Sequence, residues 1–255
     1  MLHLVLGVSG SGKSSHLLQT IRTRAMAGEK SVLIVPEQFT SSTEGRLYQL
    51  LGDELSGYVT SYSFTSLAED ILQAYGGAAV RTLTDAGRAV LVRRALQSMG
   101  PNLVYYSRHR RSAAFCEKCA ETLDEFKSAG LDPRQLEELA KNTGHSSRKL
   151  GELAGIFAAY EALLEGSAMD PGDRVLAAAR ALQPDFFAGR AVFIDEFDTF
   201  NAPKRRLLEA MLTMAEDVTV ALCCDGLEDY EGGLGLFSGA KQMAAALRQL
   251  ARKNS

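Results

Sequence analysis

Apolar positions along the 255-residue chain follow two patterns. The first is the short continuous run: "LHLVL" (2–6), "SVLIVP" (31–36), "GYVTSYSF" (57–64), "AVFIDEF" (191–197) and "DVTVALCCD" (217–225). Runs of this length, bounded by Gly, Pro or Asp, predict strands that are apolar on both faces, as in a parallel sheet covered by helices on each side. The second pattern is helical spacing. It fills 14–27 and 43–51 between the first three strands, then extends from Thr65 to Leu182 with no strand. The class expected is α/β.

Within the long helical stretch, Asp132-Pro133 and Asp170-Pro171 set a capping acid before a proline suited to a first helical turn. Gly76, Gly100, Gly130 and Gly144 stand where helices are expected to end. The chain therefore reads as a discontinuous sheet domain, 1–78 with 187–255, interrupted by a helical insertion subdomain, 79–186. Neither an internal repeat nor a low-complexity linker is present.

Composition narrows the class only a little. With 46% hydrophobic and 23% charged residues the chain can bury one large core or two modest ones. The longest apolar run, "VTVALCC", is far shorter than the roughly 20 residues of a membrane-spanning helix. No membrane partner and a cytoplasmic location are expected. A net charge of -3 leaves nucleic acid open as a partner, because basic surfaces are local. Four cysteines are too few for a secreted disulfide scaffold of this length, and "CEKC" (Cys116, Cys119) has no second pair to complete a metal site. Structural or solvent-facing thiols are expected there, and buried packing for Cys223 and Cys224. The histidines, His3, His16, His109 and His145, are scattered and form no triad with a nucleophile.

The chemistry begins at "GVSGSGKS", which fits G-x-x-x-x-G-K-[ST] with Gly7, Gly12, Lys13 and Ser14 on the fixed positions. A predicted strand precedes it and a predicted helix follows. In that setting the backbone amides of Ser9, Gly10, Ser11, Gly12, Ser14 and Ser15 can wrap a phosphate at a helix amino terminus. Lys13 would reach the β- and γ-phosphates of ATP, and the Ser14 hydroxyl would bind Mg²⁺. The partner is "AVFIDEF", a strand delivering Asp195 and Glu196 to its carboxyl end. Asp195 would hold Mg²⁺ through water. Glu196, with Lys13 as the other catalytic group, would orient or deprotonate the attacking water. The fold expected is thus a P-loop NTPase parallel sheet with an inserted all-helical subdomain.

A phosphate loop, two further strands, a large helical insertion and then the acidic strand is the order of a first motor domain in superfamily-one DNA helicases. Taken together, "LVLGVSGSGKS", "VLIVPEQFT", "SYSFTSLAEDIL", "EFKSAGLDP", "KLGELAGIFAAYEALL", "VFIDEFDTF" and "VTVALCCD" span nearly the whole chain. In that order they resemble the amino-terminal region of the AddB subunit of AddAB-type helicase-nucleases. The resemblance implies an ATP-binding, helicase-like part of an enzyme that processes double-strand DNA breaks for recombinational repair. It also implies an AddA-type partner subunit, contact with the 3′ single strand, and scanning of that strand for the regulatory sequence Chi.

Residue by residue, the resemblance points to Gln38 and Thr40 as strand contacts, to Phe64 as a base-stacking ring, and to Phe197 or Phe200 as a further aromatic, although from sequence alone Phe64 reads slightly better as a core residue, since aromatics are usually buried. Loops at the ends of the second and third strands also carry Ser61 and Ser63, small donors suited to phosphates. Some positions depart from the family. Ser66 and Glu69 stand where relatives can carry Arg and Trp, and Glu196 stands where many carry Gly, which favours hydrolysis here. A second motor domain and a nuclease with iron-sulfur cysteines are implied beyond residue 255. Basic clusters "RHRR" (108–111) and "KRR" (204–206) are weaker candidates for a phosphate backbone. The competing reading is a stand-alone P-loop kinase or metabolic NTPase. A scaffold that binds ATP without turning it over is a third.

Overall fold

The computed structural model describes residues 1–76, 82–142, 144–165, 168–227 and 235–253. The five expected strands form: β1 (Leu2–Gly7), β2 (Lys30–Ile34), β3 (Val59–Tyr62), β4 (Arg190–Ile194) and β5 (Val218–Cys223). They build one sheet in the order β1-β5-β4-β2-β3, with every neighbouring pair parallel. The chain divides into two compact units, Met1–Gly76 with Val175–Phe200 and Lys204–Ser255, and Gly77–Arg174 with Asn201–Pro203.

The continuous apolar runs are explained by the pleat of the first unit. Val32, Ile34, Val192, Ile194, Val220 and Leu222 point into one core. Their neighbours Leu33, Val35, Ala191, Phe193 and Ala221 point into another on the opposite face. Helices α1 (Lys13–Met26) and α2 (Thr40–Ser56) close the second core with Leu17, Ile21, Leu47 and Leu51. The first is closed by α3 (Phe64–Tyr75), α8 (Arg174–Ala181), α9 (Ala202–Met214) and α10 (Ser238–Lys253).

Some expected boundaries move. The third strand stops at Tyr62 because the Ser63 hydroxyl accepts the Ser66 N–H at 3.1 Å while Ser66 Oγ accepts the Ser63 N–H at 2.9 Å. That reciprocal cap starts α3 at Phe64. Helix α2 runs from Thr40 to Ser56, past the expected 43–51, with a break at Gly52 (φ 64°). The expected start of the helical insertion, between 78 and 79, lies outside the described residues. Its expected end at 186 is too late. Ala178, Leu182 and Phe187 are buried in the core of the sheet unit, so the return begins at Val175.

The second unit holds α4 (Asp85–Ser98), α5 (Ala113–Ala129), α6 (Pro133–Lys141) and α7 (Ser147–Leu164) around Val92, Leu96, Leu123, Leu136, Phe157 and Tyr160. Asp132 caps α6 as its sequence predicts, accepting the Gln135 N–H at 2.8 Å. Asp170 does not cap: Pro171–Asp173 is a short 3-10 turn with no side-chain cap. Its fully buried carboxylate instead accepts from Lys127 Nζ at 3.1 Å and Tyr160 Oη at 2.9 Å, and lies 3.2 Å from Arg88 Nε. A buried carboxylate needs paired charge more than a helix end needs a cap. Lys127 also pairs with Asp173 and Glu161, at 2.7 and 2.8 Å, and Arg88 with Asp124. Burial pushes the carboxyls of Asp173 and Glu161 up, with Lys127 opposing the shift.

Candidate functional site

Strand order places the two chemical elements. β5 separates β1 from β4, so the loop after β1 and the acids after β4 leave the same edge of the sheet roughly 10 Å apart. The loop is a glycine turn by necessity. A Cβ on Gly7 would stand 2.2 Å from Ser11 Oγ, and Gly10 (φ 77°) and Gly12 (φ 90°) occupy left-handed backbone. Gly12 is the residue before α1, with no side-chain cap and no acid in the first helical turn. The leading amides of α1 are thus left to an anion. The Ser11 N–H donates to Val8 O at 3.2 Å, closing the turn, and Lys13 Nζ donates to the same carbonyl at 2.9 Å.

One of the two acids, Glu196, reaches this turn. Ser14 Oγ donates to Glu196 Oε1 at 3.3 Å. Asp195 is buried beside it in sequence, its N–H donating to Ile34 O at 3.0 Å and its Oδ1 accepting the Glu196 N–H at 2.9 Å. Glu196, not Asp195, is therefore the acid whose carboxylate meets the Ser14 hydroxyl. Among the described residues it is also the one non-glycine with positive φ, 64°. Backbone strain of that kind persists where its surroundings impose it. Helix amides without a side-chain cap, the Ser14 hydroxyl and the Glu196 carboxylate, with Asp195 next in sequence, are hard oxygen and amide groups of the kind that fits a magnesium-bound triphosphate.

The expected strand contacts separate into two groups. Gln38 and Thr40 flank a short 3-10 turn, Glu37–Phe39, after β2; Gln38 is exposed and Thr40 half-buried. The aromatics are different. Phe64, Phe197 and Phe200 are 3%, 8% and 4% exposed and pack on one another at centroid distances of 5.2 to 5.9 Å. No face of these rings is offered to a base: an apolar core under β4 holds them, which agrees with the core reading of Phe64 and argues against stacking by the three rings. Ser63 is corrected likewise, since it is buried and its hydroxyl caps α3. Ser66 is the other half of that cap. Sequence reasoning passed over Phe39, which is 38% exposed between Gln38 and Thr40. Its signal was its place in "PEQFT", directly between two predicted contacts.

The weaker candidates resolve too. Lys204 lies 5.5 Å over the Phe64 ring and 5.3 Å over Phe197, and burial draws its ammonium pKa down. Arg205 and Arg206 are both exposed, and Arg206 pairs with Glu209 at 3.2 Å. Cys116, Cys119 and Cys224 are buried free thiols, and Cys223 is half-buried. Burial pushes the Cys119 thiol up to about 12, which suits packing and not nucleophilic chemistry. Among the described residues no group of three or more His, Cys, Asp or Glu could hold a metal, and no helix is long and apolar enough to cross a membrane. The side chain of His145 lies outside the described residues.

Comparison with known proteins places the chain in a family. The family model described as "ADDB, N-terminal" matches residues 4–255. Three similar proteins are each named as the B subunit of an ATP-dependent helicase/deoxyribonuclease. That of Moorella thermoacetica is 32% identical over 98% of this chain and 23% of its own length. That of Desulforamulus reducens is 32% identical over 97% and 23%, and that of Clostridioides difficile 28% over 98% and 22%. The chain thus spans less than a quarter of the length of these relatives. With a family match over nearly every residue, the chain belongs to the AddB amino-terminal family.

Proposed function

We propose that this chain is the ATP-binding, helicase-like part of a helicase-nuclease subunit that processes double-strand DNA ends for recombinational repair. In this reading it acts beside an AddA-type partner subunit and touches the 3′-ended single strand. The observation that carries the proposal is the Ser14–Glu196 hydrogen bond, which brings the phosphate turn and the acidic strand together. The relatives' shared name, with its helicase and deoxyribonuclease activities, supports the wider role.

The chain's own residues divide the work. Amides at the start of α1 receive the phosphate oxygens, and Lys13 gives up its bond to Val8 O to reach the β- and γ-phosphates. Ser14 and Asp195 would hold Mg²⁺, which when bound supplies positive charge against the phosphates. Glu196 orients a water and accepts its proton as the water oxygen bonds to the γ-phosphorus and the bond to the ADP oxygen breaks. Gln38, Thr40 and the exposed ring of Phe39 face the strand, the first two through hydrogen bonds and the third by stacking.

The test is ATP turnover by the full-length subunit assembled with its partner, with and without a single-stranded oligonucleotide. Stimulation by DNA, lost in Lys13→Ala and blunted in Gln38→Ala, is the expected result. Phosphoryl transfer to a small acceptor with no response to DNA would replace this reading with a metabolic kinase.

A further inference from the structure

The segment joining α4 to α5 carries "VYYSRHRR" (104–111), and it is pinned by one side chain. Glu152 on α7 is buried, and its carboxylate accepts three successive backbone amides. They come from Val104 at 3.0 Å, Tyr105 at 2.6 Å and Tyr106 at 3.0 Å. Hydrogen bonds to a carboxylate are the strong ones, and three of them fix residues 104–106, which belong to no helix or strand. A plain connection between helices needs no such anchor.

The loop held in this way displays rings and cations. Tyr105 is 48% exposed and Val104 62%. Tyr105 stands edge-on to Tyr106 at 4.9 Å, Tyr106 packs on Phe115 at 5.1 Å, and Lys149 Nζ lies 4.7 Å over the Tyr105 ring. Arg108, His109 and Arg111 follow, all exposed, and among the described residues none has an acid partner. The acid at the centre, Glu152, is buried and already bonded to the amides. The local surface is therefore positive on a chain whose net charge is -3.

We infer that residues 104–111, with Lys149, form a second contact surface for single-stranded DNA, carried by the helical unit. A rigid exposed aromatic flanked by unpaired cations is the arrangement that stacks a base and tracks a phosphate backbone without reading sequence. A protein partner is less well matched, because charge is depleted at the centre of such interfaces. The inference rests on the proposed function in one respect, the choice of DNA over RNA. Glu152 is a positioning residue: it acts through the loop and touches no strand.

The experiment is fluorescence anisotropy of the chain with a labelled oligo-dT across a salt series, alongside an oligo-rU arm. Tyr105→Ala is expected to weaken binding about tenfold. Arg108→Ala with Arg111→Ala should lower the magnitude of the log-log salt slope by about 1.4, because two cations no longer neutralise phosphates. These side chains are exposed, so the fold is kept. Glu152→Gln should weaken binding and speed hydrogen exchange at the Val104, Tyr105 and Tyr106 amides, a readout independent of affinity. Unchanged affinity and slope in the Tyr105 and arginine variants, with Gln38→Ala weakened, would overturn this surface and leave the proposed function standing. The opposite pattern supports the surface and removes Gln38 from the strand path. Tighter binding of oligo-rU than oligo-dT overturns the assignment to DNA.

Discussion

The hydroxyl of Ser14 donates to a carboxylate oxygen of Glu196 at 3.3 Å across 182 positions of chain. Ser14 belongs to the first turn of α1, and Glu196 is the second residue past the end of β4. Their meeting requires a parallel sheet with one strand, β5, between β1 and β4. It also gives Glu196 two burdens, the catalytic one proposed above and a conformational one.

Those burdens are separable. Glu196→Gln keeps the shape and removes the base, so nucleotide affinity should hold while turnover falls at least about 100-fold. Glu196→Gly should lose turnover as well but relieve the φ of 64°, raising stability by about 1 kcal/mol. Turnover and thermal midpoints of the two variants check this. A glycine variant less stable than the glutamine one would mean that the left-handed backbone is unstrained.

The phosphate turn makes a second prediction. Gly7→Ala sets a methyl 2.2 Å from Ser11 Oγ and 3.3 Å from Lys13 Cγ, so it should weaken nucleotide binding about tenfold. Ser11→Ala removes the nearest of those atoms and should restore most of the loss. Calorimetric titration of the two single variants and the double gives the coupling directly. Additive losses would show that the close approach is not the cause.

In the helical unit, Asp170→Asn strips the charge from a fully buried carboxylate and leaves Arg88 and Lys127 partly unpaired. A loss of about 3 to 5 kcal/mol is expected in urea unfolding. A loss below about 1 kcal/mol would mean that the network is open to water.

Thiol chemistry supplies a pH-dependent test. Burial raises the Cys119 thiol from its usual value to about 12, so native Cys119 stays protonated while an unfolded chain ionises it nearer 9. This contribution to stability is fully present below about 9 and is lost as pH rises from there to about 12. Mapped iodoacetamide labelling at mildly alkaline pH should modify half-buried Cys223 before Cys116 and Cys119 in the native chain, and all of them after unfolding. Early labelling of Cys119 would contradict its burial.

The sheet was legible because a strand buried on both faces writes an unbroken apolar run: Val32, Leu33 and Ile34 alternate between two cores yet read as one word. The glycine turn was legible because glycine spacing is itself the geometry. Other features depended on partners remote in sequence. Asp170 looks like a helix cap until Lys127 and Arg88 are seen around it. Phe64 reads from sequence as either a core residue or a stacking ring until Phe197 and Phe200 are seen packed on it. The anchoring role of Glu152 had no local signal, because the amides that donate to it lie 46 to 48 residues away.

The most direct measurement is calorimetric titration of MgATP into the chain and into its Lys13→Ala variant. The account predicts saturable one-site binding that needs magnesium and disappears in the variant. Undiminished affinity in Lys13→Ala would contradict the placement of the nucleotide between the glycine turn and Glu196.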